Sequence, residues 1–107
     1  MVNSRCEVNI IYDDRCIPQI TISSNKEILS KIIGHIERNK EKYEPIDIDN
    51  DINNKLKIYS IGTYDKKNDE FLYRSLDNIF IEIVKFLKKQ SELDINVRIY
   101  TPCYSNE

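Results

Sequence analysis

The chain has 107 residues, a size for one domain with one core, and 40% of them are apolar and 32% charged. That balance excludes a disordered chain, and a formal net charge of −2 argues against a dedicated nucleic-acid binder. No run of apolar residues is long enough to span a bilayer as a helix. The start, Met1 to Glu7, lacks the basic, apolar, small-residue order of a secretion signal, so the expected location is the cytoplasm. Cys6, Cys16 and Cys103 form neither a disulfide framework nor a zinc pattern, and reduced thiols are expected. Nineteen isoleucines, eleven asparagines and eleven lysines, with no alanine or tryptophan, reflect AT-rich codon usage. Their physical consequence is a core of β-branched side chains, which favour strands.

Alternation predicts a strand over Cys6–Tyr12 and a return over Cys16–Ile22, the latter at an edge or starting at Pro18, which lacks an N–H. Ser24 with Glu27 three residues on reads as a capping box. Ile28, Leu29, Ile32, Ile33 and Ile36 then follow the helical period, and the polar run Glu37–Lys42 is expected to project into water before Pro45. Glu44–Asn54 reads as a linker with at most a short edge strand. Lys55–Tyr64 reads as a central strand, apolar on both faces, and Glu70–Arg74 as its hairpin partner. Ser75 is the expected cap of a second helix whose stripe is Leu76, Ile79, Phe80, Ile83, Val84 and Leu87. Ile95–Thr101 is the last strand. The predicted class is α+β in the order ββα-ββα-β, one mostly antiparallel sheet with two helices packed on one face, and a weak internal repeat of the hairpin–helix unit.

Chemistry-bearing motifs are sparse. His35 is the only histidine and falls at the flank of the first helical stripe; pairing it with Cys16 or Cys103 needs tertiary contact. Gly34 and Gly62 stand alone, so there is no phosphate loop, and the chain has no nucleophile elbow or His-Glu-x-x-His. The expectation is no enzyme, no cofactor and no metal. Asp47, Asp49 and Asp51 have the alternate spacing of a calcium loop, but Ile52 stands where its glycine is needed and Ile58 where its glutamate is needed. The remaining readings of that segment are a solvated linker or a partner surface.

Glu41, Glu44, Asp47, Asp49 and Asp51, with Lys42, concentrate a charge of −4 between residues 41 and 54 and leave +2 elsewhere. If that segment is extended, alternate aspartates project to one side about 6.7 Å apart and attract cationic surfaces. Seven tyrosines supply the amphipathic area common at interfaces, and Tyr43 and Tyr64 are the expected anchors. The alternative is a nucleic-acid-associated module using Lys66, Lys67, Lys85, Lys88 and Lys89, with Tyr59, Phe71, Tyr73 and Tyr100 as stacking residues. The Lys/Arg-Gly-aromatic run of sheet-based RNA readers is absent.

In size, composition and the clustered segment Glu41-Lys42-Tyr43-Glu44-Pro45-Ile46-Asp47-Ile48-Asp49-Asn50-Asp51, the chain resembles the small bacterial immunity proteins of contact-dependent inhibition and related polymorphic toxin systems. The resemblance implies a protein partner, a toxin domain with a basic surface such as a nuclease, held and blocked through Glu41, Tyr43, Glu44, Asp47, Asp49, Asp51 and Tyr64. It implies no membrane partner.

Overall fold

A computed structural model describes residues 4–12, 17–43, 46–51, 53–73, 75–90 and 93–100. In chain order these form β1 (Ser4–Tyr12), β2 (Pro18–Ser23), α1 (Lys26–Arg38), α2 (Lys40–Tyr43), β3 (Ile46–Asp51), β4 (Lys55–Ser60), β5 (Thr63–Asp65), β6 (Glu70–Leu72), α3 (Asp77–Lys88) and β7 (Leu93–Tyr100). Five strands make the main sheet in the order β3-β4-β2-β1-β7; β5 and β6 pair apart from it. All neighbours are antiparallel except β1 and β7. The α+β class and the mostly antiparallel sheet are as the alternation predicts. No helix among the described residues is long and apolar enough to cross a membrane.

Isoleucine organises the sheet. Ile48, Ile58, Ile20, Ile10 and Ile99 lie opposite one another in one row across all five strands. Beside that row, Leu56, Ile22, Val8 and Val97 form a second. Helix α1 buries Ile28, Leu29, Ile32 and Ile36, and α3 buries Ile79, Phe80, Ile83 and Leu87. These side chains and the inner residues of β1, β2 and β4 form one core cluster, so both helices cover one sheet face. The opposite face carries polar rows, such as Asp49, Lys57, Thr21, Asn9 and Arg98.

Several boundaries differ from the sequence expectation, each for a local reason. Asn25, not Ser24, caps α1: its side-chain oxygen accepts from the Ile28 N–H at 2.9 Å. The Ser24 hydroxyl is engaged elsewhere, donating to the Arg5 carbonyl at 2.8 Å. Glu27 therefore completes no capping box and sits opposite Lys31 at 4.0 Å. Most of the polar run Glu37–Lys42 is exposed as expected, but the chain turns within it. The chain turns at Asn39, whose side chain donates to the His35 carbonyl at 2.7 Å, and α2 returns Tyr43 to the core. At α3 the Ser75 hydroxyl does accept from the Asp77 N–H at 3.2 Å, while Leu76 occupies the cap position and is buried.

The presumed linker holds a six-residue edge strand, β3. Ile46 and Ile48 pack against the core while Asp47 and Asp49 stay exposed. Asn54, at φ 60°, turns the chain into β4; asparagine tolerates that left-handed conformation better than most residues. The expected strand Lys55–Tyr64 breaks after Ser60. At Gly62 the Tyr73 ring packs where a side chain would stand, 2.8 Å from an ideal Cβ, so the chain leaves the sheet there. The second hairpin, β5–β6, consequently lies outside the main sheet, and the two hairpin–helix units are not structural equivalents. The order is ββαα-ββββ-αβ rather than ββα-ββα-β. The starts and ends expected at Cys16, Arg74 and Thr101 lie outside the described residues.

Candidate functional site

Asn39 ends α1 and directs α2 across the helix layer, which brings three distant segments together. The Tyr43 hydroxyl donates to Glu82 of α3 at 2.8 Å and lies 3.2 Å from His35 Nε2 of α1. Because the phenol proton is committed to the carboxylate, His35 Nε2 must carry a proton to complete the second bond. Lys42 Nζ reaches the same carboxylate at 2.7 Å. The His35 ring stacks on Phe86, centroids 4.5 Å apart at 21°.

Each ionisation follows from this packing. Burial first, then the Arg38 guanidinium, holds the His35 imidazole below its ordinary range. Burial and the Glu82 carboxylate push the Tyr43 phenol up to about 12. Lys42 and Tyr43, donating to Glu82, hold its carboxyl below the usual range. Near neutrality the set is therefore a neutral imidazole, an intact phenol and a carboxylate, and it ties α1, α2 and α3 together. Tyr43→Phe keeps the ring but leaves the His35 N–H without that acceptor. We expect it to lower unfolding stability by about 1–2 kcal/mol in urea denaturation; an unchanged midpoint would mean the network holds nothing.

Tyr43 is thus not the exposed anchor expected from sequence: it is 1% exposed. It instead helps to line an open pocket of about 250 Å³ with the end of α1 (Ile36, Glu37), α2 (Lys40) and β3 (Ile46, Asp47, Ile48). That volume is below the usual range for small-molecule sites and suits one inserted side chain. Its charged lining residues are Glu37, Lys40 and Asp47.

The other expected site residues divide clearly. Asp47 and Asp49 are exposed on the sheet edge, and Glu41 is exposed on α2. Glu44 lies outside the described residues. In the register with β4, Asp47 stands opposite Tyr59 and Asp49 opposite Lys57. Tyr64 is exposed, its ring tilted against Phe71 with centroids 5.5 Å apart and its hydroxyl donating to Asp69. It belongs to an apolar set on the β5–β6 hairpin and its flanks: Ile61, Tyr64, Phe71, Leu72 and Tyr73 are all exposed, Phe71 by 60%. A two-stranded hairpin with no core of its own is marginal in water. The hairpin leaves the sheet just after Ser60, which pairs with Ile46. The acidic strand thus begins, at Ile46, opposite the residue after which the chain leaves the main sheet for the hairpin.

The residues of the nucleic-acid alternative are dispersed. Lys66 and Lys67 lie in the β5–β6 turn, and Lys85, Lys88 and Lys89 end α3. Tyr59 and Tyr100 stand at separate places in one main-sheet row, whereas Phe71 and Tyr73 belong to the hairpin region. Cys6 is a buried free thiol, pushed up to about 11 by burial; Cys16 and Cys103 lie outside the described residues. Among the described residues, no three His, Cys, Asp or Glu side chains group as metal ligands. Sequence reading missed Glu82, because no local pattern links it to Tyr43 39 residues earlier. It also missed Leu72 as a surface residue, although three adjoining apolar residues in so short a strand were a signal. Comparison with protein-family models, with curated proteins and with solved structures finds no match to this chain.

Proposed function

We propose that this protein is a non-enzymatic inhibitor that binds and blocks a toxin domain with a basic surface, as its resemblance to small bacterial immunity proteins implies. The observation that supports this is an acidic edge strand whose first residue, Ile46, pairs with Ser60, just before the chain enters an exposed aromatic hairpin. Aspartates and aromatics divide the work: Asp47 and Asp49 steer a cationic surface, and Tyr64, Phe71 and Leu72 provide the area that loses water on contact. The pocket lined by Tyr43 takes one lysine or arginine side chain of the partner, drawn by Glu37 and Asp47 against the single opposing charge of Lys40. A nuclease blocked in this way loses access of nucleic acid to its cleft.

The test begins with the gene immediately upstream: if it encodes a large protein with a toxic C-terminal domain, that domain is the probe. Co-production of the present chain should restore growth, and the purified pair should form a complex. Asp47→Asn with Asp49→Asn should slow association about tenfold at low salt and flatten its salt dependence, with little change in melting temperature. Unchanged association would remove the acidic strand from the interface. A chain that instead shifts mixed RNA and DNA in a salt-dependent way, and ignores the toxin domain, would overturn the reading.

A further inference from the structure

The two edges of the main sheet differ in kind. β3 carries an aspartate at every second position, 47, 49 and 51. A second β3 laid antiparallel on it, apolar to apolar, would set aspartate opposite aspartate, which is unfavourable. β7 has no such guard. It is eight residues long, and among the described residues only β1 pairs with it. Along its inner face Leu93 and Ile95 are half-buried, but Val97 is 39% and Ile99 63% exposed. Ile99 ends the five-isoleucine row, and among the described residues no further strand lies beside it.

We propose that β7 pairs with the β7 of a second copy of this chain, antiparallel about a two-fold axis through Asn96, joining the two sheets edge to edge. The register follows from the side chains. With Asn96 opposite itself, Asp94 faces Arg98 of the second copy, and Arg98 faces its Asp94. Leu93 faces Ile99 and Ile95 faces Val97, each pair occurring twice as two-fold symmetry requires. The parity is also right: the apolar pairs fall on the helix side, and the charged pairs fall on the polar face with Asn9 and Glu7. A slip of two residues either way places Asp94 opposite Asn96 or Tyr100 and forfeits both ion pairs. In the matched register the isoleucine row continues through Ile99 into Leu93 of the neighbour.

Sedimentation equilibrium tests this on the full chain. The native protein should shift from 12.7 kDa toward twice that mass between low micromolar and submillimolar concentration. Asp94→Arg alone places arginine opposite arginine, and Arg98→Asp alone places aspartate opposite aspartate. Each should weaken the dimer about tenfold or more. Mixing the two variants should restore a heterodimer, because both ion pairs form again, one native and one with reversed polarity; the double variant, with both pairs reversed, should likewise dimerise with itself. Asp94 also lies opposite Arg5 within the monomer, so Val97→Lys, at an exposed position, provides an independent disruption. A native mass of 12.7 kDa at every concentration overturns the proposal, as does a dimer indifferent to Asp94→Arg, Arg98→Asp and Val97→Lys. Failure of the mixture to recover the dimer overturns the register.

Discussion

Ile58→Ala should lower unfolding stability by about 3–4 kcal/mol, a large share of the roughly 5–15 kcal/mol typical of a single domain. Ile58 is fully buried, at the second position of the five-isoleucine row, between Ile48 on the edge strand and Ile20 on β2. Both flanking strands are fixed by backbone ladders, so the walls of the cavity have little freedom to close. Urea denaturation followed by circular dichroism should show the midpoint fall with the slope unchanged. The matched control is Ile99→Ala in the same row: measured at a concentration where the chain is monomeric, it should cost well under 1 kcal/mol, because that side chain is mostly in water. Equal losses at the two positions would contradict the packing described here.

A second expected result is a loss of stability on the alkaline side. The Cys6 thiol is pushed from 9.0 up to about 11, chiefly by burial, and the Tyr43 phenol from 10.0 up to about 12 by burial and Glu82. Both folded-state values lie above the unfolded ones, so folding favours the protonated forms. Their contribution is complete below pH 9. It drains as pH rises through 9 to 11 for the thiol and 10 to 12 for the phenol, because the unfolded chain ionises first. The melting temperature should therefore fall steadily above pH 9. Cys6→Ala should flatten the first part of that fall and Tyr43→Phe the second, whatever each does to stability at neutrality. His35 acts at the other end of the scale: its value is held below 6.5, so the neutral ring contributes stability above pH 6.5 that is lost on acidification. A melting temperature constant between pH 8 and 11 would show that neither Cys6 nor Tyr43 is enclosed as described.

Local pattern sufficed where an element has one dry face. The stripes of α1 and α3, and the alternation of β1, β2 and β7, were legible because helical and strand periods are hard to mimic over six or more residues. The misreadings arose where a side chain had two competing uses. Ser24 is a good cap, but its hydroxyl serves Arg5, and Asn25 caps instead. Ile46 and Ile48 alternate with aspartates as a strand should, yet acidic density made the segment look like a linker. Tyr43 stands in a polar run that looks exposed; only the turn at Asn39 and the distant Glu82 explain its burial. Gly62 was visible as a lone glycine, but the need for it comes from Tyr73, across the hairpin. Of the expected binding residues, Asp47, Asp49 and Tyr64 are at the surface as the sequence reading required, and the pocket beside Asp47 was not foreseeable because α1, α2 and β3 build it jointly.

The parallel pairing of β1 with β7 has a kinetic consequence. Translation produces β1 before the other described strands and β7 after them, yet the two lie side by side with Ser4 opposite Leu93 and Ile11 opposite Tyr100. While a nascent chain is being made, β1 can pair with β2 early, but the flank that will receive β7 stays open until residues 93–100 have been made. Closing so long a loop is slow compared with forming a hairpin. Among the described strands, the last to be made is thus laid against the first.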